Sequence, residues 1–488
     1  MPSAKRHCRT KAARPPRNRR DRAAPSTRAL QRFAAAAAAS LLAALPVQRA
    51  HARAGDLDPT FGNGGLVFIP NLRADAPFDA ANAVAIQPDG KIVVVGRWGA
   101  ASPGPTTAVL RFNADGDLDG TFGFEGIVTL SSGFAGGDEA HGVAIAADGR
   151  IVVGGYLGTL GGVYRLEPDG SLDAGFGSGG VVVVAANGDA SHRTTINGLV
   201  LDGSGGTFIA GDYFGSGHGE YMLGWLASDG TILSAVPVGL GSADRDQIAT
   251  SLVRQADGKI VVAGYADLTD LSGYDDLACA IARYTPTVFP TLGFAPDPDY
   301  GYGPENFFVI DSAPTSCYAD TIALLPDGGT LAAGRELMTD GTWAGMYARV
   351  DTTGQVDTTF AGLPLFSAWG DNSVRRIVLQ ADGKPVLVGY TGVDASGVPG
   401  PFAMRLTADG RPDPTYGSGG ETRIDFDPQD FASGQALGAA IDAEGRVVIA
   451  GVYFTGLSGA GGEDVTQIFV ARLQGDRSDR IFADGFDG

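Results

Sequence analysis

A pair of apolar runs around an acidic, Gly-containing turn recurs seven times in this chain, and no other feature limits its fold as sharply. The regular copies are AVAIQPDGKIVVVG (83–96), GVAIAADGRIVVGG (142–155) and SLVRQADGKIVVAG (251–264). Drifted copies are GLVLDGSGGTFIAG (198–211), TIALLPDGGTLAAG (321–334), RIVLQADGKPVLVG (376–389) and GAAIDAEGRVVIAG (438–451). Their turn acids, Asp89, Asp148, Asp202, Asp257, Asp327, Asp382 and Glu444, are spaced by about 59 residues on average. Val, Ile and aromatic residues fill the runs, and Gly supplies the positive φ of a tight hairpin, so each copy reads as two antiparallel strands. A third apolar run follows every hairpin, at 107–112, 162–166, 221–226, 279–284, 345–350, 402–406 and 468–473. A fourth follows in most copies, as at 126–130 and 180–184. Four short strands per unit are what a propeller blade requires.

The two ends of the repeat region complement each other. LDPTFGNGGLVFI (57–69) holds only a fourth-strand segment, while the last unit stops after its third strand at Leu473. Pairing Leu66–Ile69 with 468–473 would complete one blade and remove exposed strand edges. The expected architecture is therefore all-β, a seven-bladed β-propeller of four-stranded blades over residues 55–475, closed by the N-terminal strand.

The apolar run 33–47 follows many Arg and Lys and is short for a membrane span, so residues 1–54 read as a signal peptide. Small-x-small sites at Ala50-His51-Ala52 and Ala52-Arg53-Ala54 place cleavage after Ala52 or Ala54, and Arg19-Arg20 lies too far upstream for a twin-arginine signal. The mature chain is expected outside the cytoplasm, in the periplasm, at the cell surface or beyond, without a transmembrane anchor and as a monomer. Residues 1–54 carry 13 of the 36 Lys and Arg but only Asp21 of the 55 acids, which leaves 23 basic against 54 acidic residues and a formal charge of −31. Such a surface repels phosphate backbones, and nucleic acid is excluded as a partner. Cys8 leaves with the signal; Cys279 and Cys317 are then either one disulfide or two buried thiols.

The repeats resemble the delta-60 repeat family, predicted β-propellers of bacterial and mostly exported proteins. The resemblance rests on the PDGKIVV-type hairpin and on LRFNADGDLDGTFG (110–123), RLEPDGSLDAGFG (165–177), RVDTTGQVDTTFA (349–361) and RLTADGRPDPTYG (405–417). RYTPTVFPTLGFAPDPDYGYG (283–303) departs from it by lacking the Asp-Gly turn and carrying an insertion. The resemblance implies a fold and an export habit, and no general enzymatic activity. IFADGFDG (481–488), in the tail 476–488, is similar to short aromatic-Gly-Phe-acidic tails that end many secreted proteins of some Gram-negative bacteria.

Catalytic signatures are missing. His141, His192 and His218 fall in different units without a ligand spacing, no Gly-x-Ser-x-Gly elbow is present, and no cofactor or metal is expected. Asp115, Asp117, Asp119 and Gly120 imitate the start of a calcium loop, but the closing acid is displaced to Glu125, and the stretch reads as an acidic turn. Arg111, Arg165, Arg283, Arg349, Arg405 and Arg472 share one place in the third strand. Asp119, Asp173, Asp357 and Asp413 lie eight residues after four of them, a spacing that predicts an Arg-carboxylate brace.

Function is expected on the loops after the second and fourth strands, which emerge on one face and vary. Asp79, Asp138, Asp189, Asp246 and Asp371 lie near the first strands, and Trp98, Tyr156, Tyr213, Tyr265, Tyr390 and Tyr453 follow the second. They are read either as inter-blade packing or as an aromatic and acidic rim that binds a glycan or protein ligand. The expected role is a non-catalytic binding or scaffolding module; the alternative is a hydrolase- or lyase-type enzyme with its site at the central channel.

Overall fold

The computed structural model describes residues 53–70, 79–99, 104–215, 217–240, 246–267, 277–288, 292–301, 307–310, 316–362, 371–392, 400–426, 433–458 and 464–476. The apolar segment 33–47 and the tail beyond 476 lie outside the described residues, among which no helix is long and apolar enough to cross a membrane.

Seven antiparallel sheets form seven blades. Blade 1 sets Ala80–Ile86, Ile92–Trp98, Thr106–Phe112 and Ile127–Leu130 side by side in that order. Blades 2, 3 and 6 repeat this plan from first strands Asp138–Ile145, Arg193–Leu201 and Ser373–Leu379. Blade 4 begins with Gln247–Arg254, and its long third strand Leu277–Thr287 pairs with both Gly293–Pro296 and Phe307–Ile310. This is the unit that carries the insertion. Blade 5 has Cys317–Leu324, Thr330–Leu337 and Trp343–Val350 among the described residues; the following stretch 363–370 lies outside them. Blade 7 joins Ser433–Ile441, Val447–Ser458 and Asp464–Leu473 to the N-terminal strand Leu66–Ile69, with Leu66 opposite Ala471 and Ile69 opposite Ile468.

First strands pack on their neighbours all the way round, that of blade 7 against that of blade 1. The second strand is buried on both faces. Val93 and Val95 meet Ile151 and Val153 of blade 2, whereas Ile92 and Val94 meet Val448 and Ala450 of blade 7. Burial on both sides explains why these strands read as continuous IVVV runs rather than as alternating patterns.

Every first strand carries a one-residue bulge at the same repeat position, at Asn82, His141, Asn197, Thr250, Asp320, Arg375 and Leu437. The carbonyl two residues before each bulge presses on the second strand, at the Gly that closes each repeat copy. A Cβ on Gly96, Gly155, Gly211, Gly264, Gly334, Gly389 or Gly451 would lie only 1.8 to 2.0 Å from that oxygen. Glycine is therefore required there by contact, not by turn geometry.

Arginines of the third strand tie the outer parts together. Arg111, Arg165, Arg349 and Arg405 pair with Asp119, Asp173, Asp357 and Asp413 at 2.7 to 3.1 Å, the brace that the spacing predicts. Arg283 and Arg472 use Asp297 and Asp58 instead, at 2.7 and 2.9 Å. Each guanidinium also covers an aromatic ring, as Arg111 does Phe122 and Arg472 does Phe61. Four of them donate to a carbonyl of the next blade, at Pro168, Ser228, Thr352 and Ala114. Blade 3 places Trp225 at this position, its ring 5.2 Å from Phe208. Cys279 in the third strand of blade 4 and Cys317 at the start of blade 5 are bonded, with their Cα atoms 5.0 Å apart.

Candidate functional site

The bulges place seven side chains where the first strands face one another. Four successive ones pass on the same interaction, each reaching the backbone carbonyl just before the next blade's bulge. Asn82 Nδ2 donates to the Ala140 carbonyl (2.8 Å), Asn197 Nδ2 to that of Ala249 (2.9 Å) and Thr250 Oγ1 to that of Ala319 (2.5 Å), while His141 Nδ1 lies 3.2 Å from that of Ile196. In blade 5, Asp320 accepts from Ser373 (3.1 Å) and pairs with Arg375 (3.2 Å) of blade 6. Arg376 leaves its own blade: its Nη2 lies 3.4 Å from the Asn82 carbonyl in blade 1 and 3.3 Å from the His141 carbonyl in blade 2. It thereby bridges the channel.

The six aromatic residues read as packing or rim do not form one ring. Tyr156, Tyr265 and Tyr390 lie one residue past the Gly that ends each copy, and Trp98, Tyr213 and Tyr453 lie two past it. Successive strand residues face opposite ways. Trp98 and Tyr213 are each only 7% exposed, inside the apolar clusters of their blades, and Tyr453 packs with its ring 5.0 Å from both Phe68 and Phe426. These three pack against apolar and aromatic neighbours, as the first of the two readings has it. Tyr156, Tyr265 and Tyr390 stay half-buried.

The acids tether loops rather than project into solvent as unattached carboxylates. Asp79 accepts the Gly99 amide at 3.0 Å, and burial pushes its carboxyl up to about 6 against the lowering effects of that bond and of Arg97. Asp138 accepts from the Ser132 hydroxyl (2.6 Å) and the Tyr164 hydroxyl (3.3 Å). Asp246 and Asp371 hold the Gly219 and Trp343 amides that open the third strands of the preceding blades, at 2.8 and 2.9 Å. Asp189 caps Ser191 and His192, and these bonds lower it to about 2.

Two polar and aromatic clusters remain at the end of the ring where first strands begin. Glu139 accepts from Asn82 (2.8 Å) and from the Tyr156 hydroxyl (3.1 Å) and lies 3.6 Å from Arg97. Burial and the Glu139 carboxylate push Tyr156 up to about 12. Beside it a cavity of about 510 Å³ is lined by His141, Tyr156, Arg193, Asn197 and Asp212 among others. Asp212 is buried between Arg193 (3.2 Å) and Asn197 (3.1 Å). On blades 4 and 5, Tyr265, Tyr318 and Trp343 form an edge-to-face series with ring centres 4.6 and 5.3 Å apart, and Arg335 lies over the last two. Burial, followed by Tyr318 and nearby acids, pushes Tyr265 up to about 12. This surface can receive hydroxyls and stack on ring faces. Among the described residues no group of three or more His, Cys, Asp and Glu is placed to hold a metal ion.

Asn82, His141, Asn197 and Arg376 escaped the sequence reading. For the first three the signal is a single column: in the aligned copies, the bulge position runs Asn, His, Asn, Thr, Asp, Arg, Leu, its Arg being Arg375 and not Arg376, while the residue before it is always a small or branched apolar one.

The chain matches the DUF5122 β-propeller family, a domain of unknown function, over residues 87–122, 146–176, 255–286 and 380–416. No curated protein matches it by sequence. Among solved structures it is similar to a protein of unknown function from Dyadobacter fermentans DSM 18053, at 14% identity over 86% of this chain and 100% of that one, with a TM-score of 0.41. It is also similar to the polysaccharide lyase Uly1, at 12% identity over 84% and 94% of the two chains and a TM-score of 0.46. A third likeness is to the β-propeller domain of the Trilobed protease from Pyrococcus furiosus, at 11% identity over 83% and 99% and a TM-score of 0.43. These four stretches are similar to a β-propeller repeat of unknown function, in keeping with the seven blades.

Proposed function

We propose that this delta-60-type propeller is an exported, non-catalytic binding module that works as a monomer and takes a glycan on the face where its first strands begin. The observation that carries the reading is the cavity between blades 2 and 3, lined by side chains that both donate and accept, near the half-buried ring of Tyr265. Sugars present hydroxyls that need paired donors and acceptors, and apolar ring faces that stack on aromatic residues. Asn197, Asp212, Arg193 and Tyr156 supply the first kind of contact, while Tyr265, Tyr318 and Trp343 supply the second.

A glycan array read with the double variant Tyr156→Ala/Tyr265→Ala tests it. Loss of about tenfold or more in binding, with the melting midpoint kept, is the expected result, since one lost stacking or charge-assisted contact is worth roughly 1–2 kcal/mol. Binding to immobilised peptides but not to glycans would move the ligand to the protein class. Release of shortened glycan products would favour the enzymatic alternative at the channel.

A further inference from the structure

The guanidinium that crosses the channel, that of Arg376, differs from its charged neighbours. Arg375, one residue earlier, pairs with Asp320 at 3.2 Å, and Arg97 sits 3.6 Å from Glu139. Arg376 has no carboxylate at ion-pair distance among the described residues; its neighbours are the carbonyls of Arg375 (3.1 Å), His141 (3.3 Å) and Asn82 (3.4 Å). Three bonds to neutral oxygens, two of them long, leave a five-donor fork under-used. Arg376 as a residue is only partly buried, while its guanidinium lies deep among protein atoms. Arg375 adds positive charge beside it and Asp320 can offset only one of the two. Among the described residues the channel therefore carries one positive charge with no acid at ion-pair distance, in a chain of negative formal charge. Holding a charge away from water without a counterion is costly, and burial together with Arg375 lowers the Arg376 pKa to about 10. The same guanidinium touches the carbonyl of His141, whose side chain lines the 510 Å³ cavity.

We infer that Arg376 is a carboxylate-binding residue, and that the glycan taken at this face carries an isolated carboxylate, as an acidic sugar unit does. This rests on the glycan reading above and narrows it. An ionised guanidinium matches a carboxylate through two parallel bonds, and a single negative group would neutralise the channel exactly once while the acidic outer surface still rejects a dense polyanion.

Two measurements separate the site from the glycan reading. In the first, the melting midpoint of the full chain is followed with acetate and with chloride at equal ionic strength. Acetate should raise it in the native protein and not in Arg376→Met, because a ligand that binds only the folded state stabilises it. In the second, oligosaccharides containing glucuronate are compared with their carboxyl-reduced forms, which differ only in the charged group. The native chain should prefer the acidic form by about tenfold, and Arg376→Met should lose that preference while still binding the reduced form. Should Arg376→Met fail to fold, Arg376→Lys serves instead: a point charge in place of the fork should weaken the preference without abolishing it. No acetate effect beyond that of chloride overturns the site. An acetate effect without binding of either oligosaccharide keeps the site and overturns the glycan. Equal affinity for the two oligosaccharides, or an unchanged preference in the variants, overturns the carboxylate assignment.

Discussion

Asp79 and Asn372 occupy equivalent places at the start of blades 1 and 6, and each accepts one backbone amide at 3.0 Å, from Gly99 and from Gly392. The bond needs an oxygen and not a charge, yet Asp79 brings one into a site where it is 2% exposed. Its carboxyl, raised from the ordinary value to about 6, binds a proton more tightly in the folded than in the unfolded chain. The stability it contributes is thus present below about pH 4 and is lost as pH rises through about 6. Asp79→Asn, copying blade 6, should raise the melting midpoint at pH 7, by at most about 3 kcal/mol in stability, and flatten the difference between variant and parent only below pH 4. Paired melts from pH 4 to pH 7 measure this; a difference that does not grow with pH would show that Asp79 is not the group responsible.

The bulge of the first strand and the Gly of the second form one device, repeated in all seven blades. Gly96→Ala would set a methyl group 2.0 Å from the Ala80 oxygen and should destabilise by about 2–4 kcal/mol, whereas Gly120→Ala, with nothing within 4 Å, should change little. Denaturant titration of both variants checks the contrast. The Cys279–Cys317 link joins a third strand to the next blade's first strand across 38 residues, so non-reducing mass spectrometry of the protein purified without reductant should find one linked peptide pair. Much of this was legible: strand number, blade number and four of the six braces follow from composition, a fixed period and an eight-residue spacing. A bulge adds one residue without changing composition, so the column of Asn82, His141 and Asn197 looked like ordinary strand sequence. The aromatic residues stay ambiguous between packing and rim in the sequence for a related reason. One step of register at the end of the second strand turns Tyr156 toward the surface and Trp98 into the core, and only the pairing of Ala80 with Arg97 and of Glu139 with Tyr156 fixes that register. Asp58 and Asp297 were hidden because their arginines lie across the chain ends or across an insertion.

At the scale of the whole molecule, blade 7 depends on both ends of the repeat region. Besides the Leu66–Ile69 pairing, Asp58 is fully buried against Arg472, and Leu57 bridges to Leu473. Deleting 57–70 strands a buried guanidinium without its carboxylate, a loss of about 3–5 kcal/mol before any lost strand pairing is counted, and should abolish cooperative unfolding. A truncated protein that melts like the parent would show that the strand is dispensable. Of the strands in the seven blades, the one needed last is also the one synthesised first. Leu66 leaves the ribosome roughly 400 residues ahead of its partner Ala471, an interval of about 20–80 s at ordinary rates of synthesis. Throughout that time a four-residue ribbon waits with its hydrogen-bonding groups unmatched, and any neighbouring copy whose seventh blade is ready offers it the same berth. Crowded production should therefore divert some chains into loan arrangements, each molecule lending its opening ribbon to the next, and dilution during refolding should return them to self-contained rings.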